Sequence, residues 1–198
     1  MSIPHVRNAR GDGVKLRGLI IEAAIGLIDD GAEANALSLR AIARRAGISA
    51  PSIYAHFASI ESLHAAVIDA SFIELRSAIV AAQSSEPSPS RVLLATCRAY
   101  FSFGRAHVER YRAMFSSNGY GPEAGASLEL LEEILTSCVT AGESISTDVH
   151  GDAFVLWAAM HGMTTIPRPA RREDWRLGAS DRGQLFESMV GRIARLTI

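Results

Sequence analysis

Residues 37–63 read LSLRAIARRAGISAPSIYAHFASIESL, and this stretch decides the fold. Ser38 is a helix N-cap, and Leu39, Ile42, Ala43 and Ala46 fall at the i, i+3, i+4, i+7 positions of one helical face. Ala43 is small, which lets a second helix cross closely. Gly47 supplies the left-handed backbone that turns the chain, Ile48 plugs the corner, and Ser49 caps the next helix. Pro51 is tolerated because it lies in the first turn of that helix. The spacing predicts two short helices, over about 38–46 and 50–57, joined by a tight turn.

On the second of these helices Ile53 and Phe57, four residues apart, face inward. Ala50, Ser52, Tyr54, Ala55 and His56 are left outward or at the edge. A short helix with a small, polar and aromatic outer face suits the major groove of DNA. Ala and Pro pack against thymine methyls, Ser reaches a base edge or a phosphate, and Tyr and His donate to phosphates. An ordinary αα-corner buried in a core is the competing reading. It gives no reason for Tyr54 and His56 to flank the core positions of so short a helix.

Residues 17–64 resemble the DNA-binding domain of TetR-type (tetracycline-repressor-like) regulators. The resemblance rests on the first apolar helix ending at Gly31, then SLRAIARRAGIS, then IYAHF, then ESL. It implies DNA contacts from Ser38, Ser49, Ser52, Tyr54 and His56, with Tyr54 and His56 on phosphates. Together with the outer-face positions, the candidate DNA-contacting set is Ser38, Arg40, Ser49, Ala50, Pro51, Ser52, Tyr54 and His56. One position departs: the family usually has a phosphate-binding Lys where this chain has Ile60. Loss of one phosphate contact lowers the salt dependence of binding by about 0.9 per subunit.

Outward from this stretch, the 198 residues are 48% hydrophobic with a formal charge of −1. That balance allows a sizeable core and excludes a protein coated in Lys and Arg, while a local basic patch suffices for specific DNA binding. Such a patch lies at the N-terminus, where residues 1–20 hold Arg7, Arg10, Lys15 and Arg17 against Asp12 alone. Residues 1–16 read as a flexible basic arm, able to offset Ile60. Residues 17–64 read as the helix-turn-helix domain, and 65–198 as a helical effector-binding and dimerisation domain.

Strand signals are nearly absent and helical periodicity is pervasive, so the fold class is all-α with about nine helices. Beyond the two short ones, helices are expected over about 17–30, 59–82, 91–106, 108–115, 122–141, 148–166 and 180–196. The segment SSEPSPS at 84–90 is a linker, and 167–179, with two prolines and four arginines, is a solvated loop. Cys97 and Cys138 have no metal-ligand spacing and read as small buried hydrophobes. The N-terminus lacks the apolar core of a signal peptide, and the longest apolar run, Ala153–Met160, falls far short of the roughly 18 residues a membrane span needs. A cytoplasmic protein without membrane contact is expected.

The run AYFSFGRAHVERYRAMF at 99–115 and LWAAMHGM at 156–163 resemble the C-terminal effector domain of one TetR subgroup, marked by a Trp/His-Gly signature at Trp157, His161 and Gly162. The helix over 148–166 is apolar or small on nearly every side and needs two partners. Paired with the apolar helix over 180–196, it forms a four-helix bundle with a second copy in a two-fold homodimer, which also fits a palindromic operator. An effector pocket is expected among Tyr100, Phe103, His107, Tyr111, Met114, Phe115, Leu131, Leu135, Trp157 and His161. No charged residue stands among them, which favours a neutral or weakly polar organic ligand.

The family resemblance implies repression relieved by that small-molecule effector. No nucleophile elbow, phosphate loop or dinucleotide fingerprint is present, and His150, Asp152 and His161 lack ligand spacing. No enzyme activity, cofactor or metal is expected. The alternative is a helical ligand-binding or interaction module with weak or lost DNA binding, which Ile60 favours and the Tyr54/His56 pair opposes.

Overall fold

In the computed structural model the described residues are 12–116, 122–166 and 179–197. Among them the chain forms nine α-helices and no β-strand: α1 (Asp12–Asp29), α2 (Leu39–Ala46), α3 (Ala50–Tyr54), α4 (Ile60–Gln83), α5 (Pro89–Ala106), α6 (Val108–Phe115), α7 (Pro122–Thr140), α8 (Val149–Thr165) and α9 (Ala179–Ile193). The all-α expectation holds. Three local details differ. α1 begins at Asp12 and not near Arg17, so Lys15 stands on a helix and not in an arm. A single 3-10 turn at Ala34–Ala36 leads into α2. α3 stops at Tyr54, so Phe57 faces the core from the turn beyond it. Arg7, Arg10 and most of the 167–179 loop lie outside the described residues.

The chain divides into two compact units. The first comprises the chain through Phe72 together with Glu109–Met114. Its core gathers Ile20, Ala24 and Ile28 of α1, Ile42 and Ala43 of α2, Ile53 of α3, Phe57, and Leu63 and Val67 of α4. Each fully buried Ile here contributes about 1.5–3 kcal/mol through removal of apolar surface from water. Arg45 of α2 crosses α1 at Gly26, where an added Cβ would stand 2.8 Å from its Nη2, and it ion-pairs with Asp30. Arg110 of α6 is buried in the same unit, its Nε 2.8 Å from Oδ1 of Asp29.

The second unit comprises Ile73–Val108 and Phe115–Ile198. There α5 packs on α7, α8 and α9, and α8 packs on α7 and α9. Leu93, Cys97, Leu135, Cys138, Leu156 and Val190 are fully buried at the centre. Burial raises both thiols above their ordinary value, Cys138 to about 11, so both remain protonated hydrophobes, as the sequence suggests. Phe101 of α5 stacks on Phe186 of α9 at 4.4 Å, and Arg98 pairs with Glu187 at 2.9 Å. The Ser88 side chain makes no capping bond at the start of α5. Glu143 performs that role by accepting from the Ser90 N–H at 2.7 Å, and hydrogen bonds from Ser90 hold its carboxyl below the usual range.

Candidate DNA-binding surface

The turn between α2 and α3 has the geometry its residues demand. Ser38 Oγ accepts from the Ala41 N–H at 3.2 Å, which caps α2. Gly47 sits at φ 69°, in the left-handed region, and the Ile48 N–H bonds back to the Ala43 carbonyl at 3.0 Å. Ile48 packs half-buried against the core. One expectation fails in detail: the Ser49 side chain makes no capping bond, because its hydroxyl is 2.7 Å from that of Ser52. Two hydroxyls on one side of α3 therefore hold each other and leave their remaining lone pairs to solvent.

With Ile53 and Phe57 buried, α3 presents its other side outward. Tyr54 is 60% exposed, Pro51, Ala55 and Ser49 are exposed, and Ala50, Ser52 and His56 are half-buried. Ser38 and Arg40, at the start of α2, are exposed as well. The outer residues are short or aromatic, so the helix backbone can approach a groove closely while Tyr54 and His56 offer donors.

The next helix starts without a cation. Ser59 and Ser62 cap α4 reciprocally, each backbone N–H meeting the other's hydroxyl at 3.2 Å. Ile60 packs on the core. Beside it, the Ser59 hydroxyl and the helix backbone lower the pKa of Glu61, which stays ionised.

The sequence profile of the bacterial regulatory proteins of the tetR family matches residues 20–67, and that of the tetracyclin repressor-like C-terminal domain matches residues 93–193. The chain belongs to the TetR family. This TetR-family protein is therefore a DNA-binding transcriptional regulator, and its family and fold are those of regulators. Solved structures share its fold. A protein of unknown function from Rhodococcus sp. RHA1 is 23% identical, with all of both chains covered and a TM-score of 0.75. A TetR/AcrR-family regulator from Thermobifida fusca YX-ER1 is 19% identical over 89% of this chain and 96% of that one, with a TM-score of 0.72. AibR, in complex with isovaleryl coenzyme A and operator DNA, is 17% identical over 91% of this chain and 99% of that one, with a TM-score of 0.67.

In the second unit of this TetR-family protein, Tyr100, Phe103, Leu131, Leu135 and Trp157 are buried, and His107, Phe115 and His161 are half-buried. His161 lies edge-on to Phe115 at 4.8 Å and stacks with Trp157 at 6.2 Å. Desolvation lowers its pKa, so the neutral imidazole is the resting form. Tyr111 and Met114 are buried in the first unit. Sequence reading missed Glu74, whose carboxylate is 3.9 Å from Nε2 of His107; a charge thus stands beside one of the candidate pocket residues. No spacing signal links a residue of α4 to one at the end of α5.

Sequence reading also missed an open groove of about 810 Å3 in the second unit. Leu94, Asp152, Val155, Glu187, Arg192 and Arg195 are among its lining residues, and none of the ten candidate pocket residues is. Asp152 there accepts from Ser146 Oγ at 2.7 Å and faces Arg195 Nε at 3.1 Å. Among the described residues no three His, Cys, Asp or Glu side chains converge as metal ligands, and no helix is long and apolar enough to cross a membrane.

Proposed function

We propose that this chain is a cytoplasmic homodimeric repressor that places α3 in successive major grooves of a palindromic operator, and that a small organic effector releases it. The observation that carries the reading is the outer face of α3. Tyr54 and His56 lie between the buried Ile53 and Phe57, behind a left-handed Gly47 turn, and the reading adds Ser38, Arg40, Ser49, Ala50, Pro51 and Ser52 as further contacts. The dimer reading draws on α8, where Phe154 and Val155 are 50% and 52% exposed although their neighbours Ala153 and Leu156 are fully buried. A helix that fills its own core and still presents large apolar groups needs a second partner, and α9 adds exposed Leu185. The effector reading draws on the aromatic and histidine side chains of α5 and α8, including the Trp157, His161 and Gly162 signature. It gains support from AibR, whose complex holds both an acyl-coenzyme A and operator DNA. An effector acts only through its preference for one of two states of the protein.

Selection of bound sequences from random duplexes at about 0.15 M salt tests the reading, because nonspecific binding is already weak there. Wild type runs beside a Tyr54→Ala/His56→Ala double variant. The expected result is a palindrome enriched by wild type and not by the variant. No enrichment by folded, dimeric wild type favours the rival reading, a helical module that has lost DNA binding, for which the apolar Ile60 is the supporting observation.

A further inference from the structure

The start of α4 carries Ile60 on the core and an ionised Glu61, so the side of the reading helix next to it lacks a cation from its own neighbour. A cation arrives from another element. α1 extends eight residues before the start of the tetR-family match, and this extension lies against the end of α3. At Gly13 an added Cβ would stand 3.8 Å from Cε1 of His56. One helical turn later, the guanidinium carbon of Arg17 sits 4.8 Å from the centroid of the Phe57 ring. Gly13 and Arg17 thus share the face of α1 that meets His56 and Phe57.

We infer that Arg17, held on the ring of Phe57, joins His56 and completes a phosphate clamp for the DNA backbone at the junction of α3 and α4. Three properties of Arg17 carry this. It is exposed, and no carboxylate among the described residues pairs with it, whereas Arg45 is committed to Asp30 and Arg110 to Asp29. Stacking on an aromatic face restrains a guanidinium while leaving its N–H edge open, and that planar edge matches two phosphate oxygens. Phe57 is itself buried, so the platform is rigid. The ligand is a backbone phosphate diester of duplex DNA, so the contact adds affinity without reading sequence.

The inference rests on the DNA-binding reading, and the experiment separates the two. Binding of the full-length protein to a pool of random-sequence 30-base-pair duplexes is titrated between 20 and 200 mM salt, about the range where phosphate contacts dominate. Arg17→Gln is expected to flatten the slope of log affinity against log salt by about 0.9 per subunit, with about tenfold weaker binding per contact near 0.1 M salt. Arg17→Lys keeps the charge and is expected to keep most of the slope. Circular dichroism melts of both variants should match wild type, since Arg17 is exposed. A wild-type slope in Arg17→Gln, alongside loss of binding in Tyr54→Ala/His56→Ala, overturns the clamp and leaves the DNA reading standing. Absence of salt-dependent binding by folded wild type overturns the DNA reading and the clamp with it.

Discussion

Nε of Arg110 lies 2.8 Å from Oδ1 of Asp29, joining α6 to the last residue of α1 within the first unit. Arg110 is only 2% exposed, while Asp29 is about one-third exposed. Removing the carboxylate leaves a desolvated cation without this counter-charge. Asp29→Ala is therefore expected to destabilise the protein by about 2–3 kcal/mol, less than the roughly 3–5 kcal/mol of a fully buried pair because water screens the Asp29 side. Arg110→Met removes the charge and keeps the stem, and is expected to cost less. Urea unfolding at pH 7 measures both; equal stability of Asp29→Ala and wild type would contradict the pairing.

At Ser38 one substitution separates the observed cap from the proposed DNA contact. Its hydroxyl oxygen caps α2 through the Ala41 N–H, and its exposure leaves it open to the DNA contact proposed above. Asp is an equally good N-cap and its charge favours the positive end of the helix. Ser38→Asp should hold the melting temperature while weakening DNA binding through repulsion of phosphates. Ser38→Ala should lose about 1 kcal/mol of stability. Thermal melts beside duplex titrations resolve the two effects, and unchanged DNA binding in Ser38→Asp would remove Ser38 from the interface.

α8 depends on a glycine for its cap. Oδ1 of Asp148 accepts from the Gly151 N–H at 3.0 Å, and an added Cβ on Gly151 would collide with the same carboxylate, only 2.9 Å from Cγ. Gly151→Ala should expel Asp148 and lose about 1 kcal/mol of capping, partly offset by the helix propensity of Ala. Asp148→Ala should lose the cap without that offset, and the double variant no more than Asp148→Ala alone. Additive losses in chemical denaturation would refute the shared cap.

The His161 pKa is lowered by burial, from an ordinary value of 6.5. In the window between the folded and unfolded values, the unfolded chain binds more protons. Stability from this group is complete above 6.5 and is lost as pH falls through the folded value. The melting temperature should drop between pH 7 and pH 5, and His161→Asn should show a shallower drop. Identical pH profiles for the two proteins would assign the dependence to other groups.

Local signals made the helix-turn-helix legible. Ser38, Gly47 and the Ile42, Ala43, Ile53 and Phe57 pattern each specify backbone or burial within a few residues, and all four buried positions and both turn signals stand where the spacing puts them. Where local chemistry allows two outcomes, the structure departs from the sequence expectation. Ser49 has a capping side chain, yet Ser52 lies within its reach and takes the hydroxyl. α1 starts earlier than its apolar pattern indicates because Asp12 and Gly13 carry no such pattern of their own; the end of α3 supplies the packing surface there.

By itself, then, the sequence determined the class, the element order and the helix-turn-helix, because helical periodicity, caps and left-handed glycines act over one or two turns. Only the tertiary structure decided which charged groups are committed and which are free to meet a partner. Arg17, Arg45 and Arg110 look alike in the sequence. Their roles diverge because Phe57, Asp30 and Asp29, each distant along the chain, stand opposite them in space. The same holds for Glu74 beside His107 and for the groove at Asp152 and Arg195, since long-range packing sets those neighbours and no periodicity encodes it.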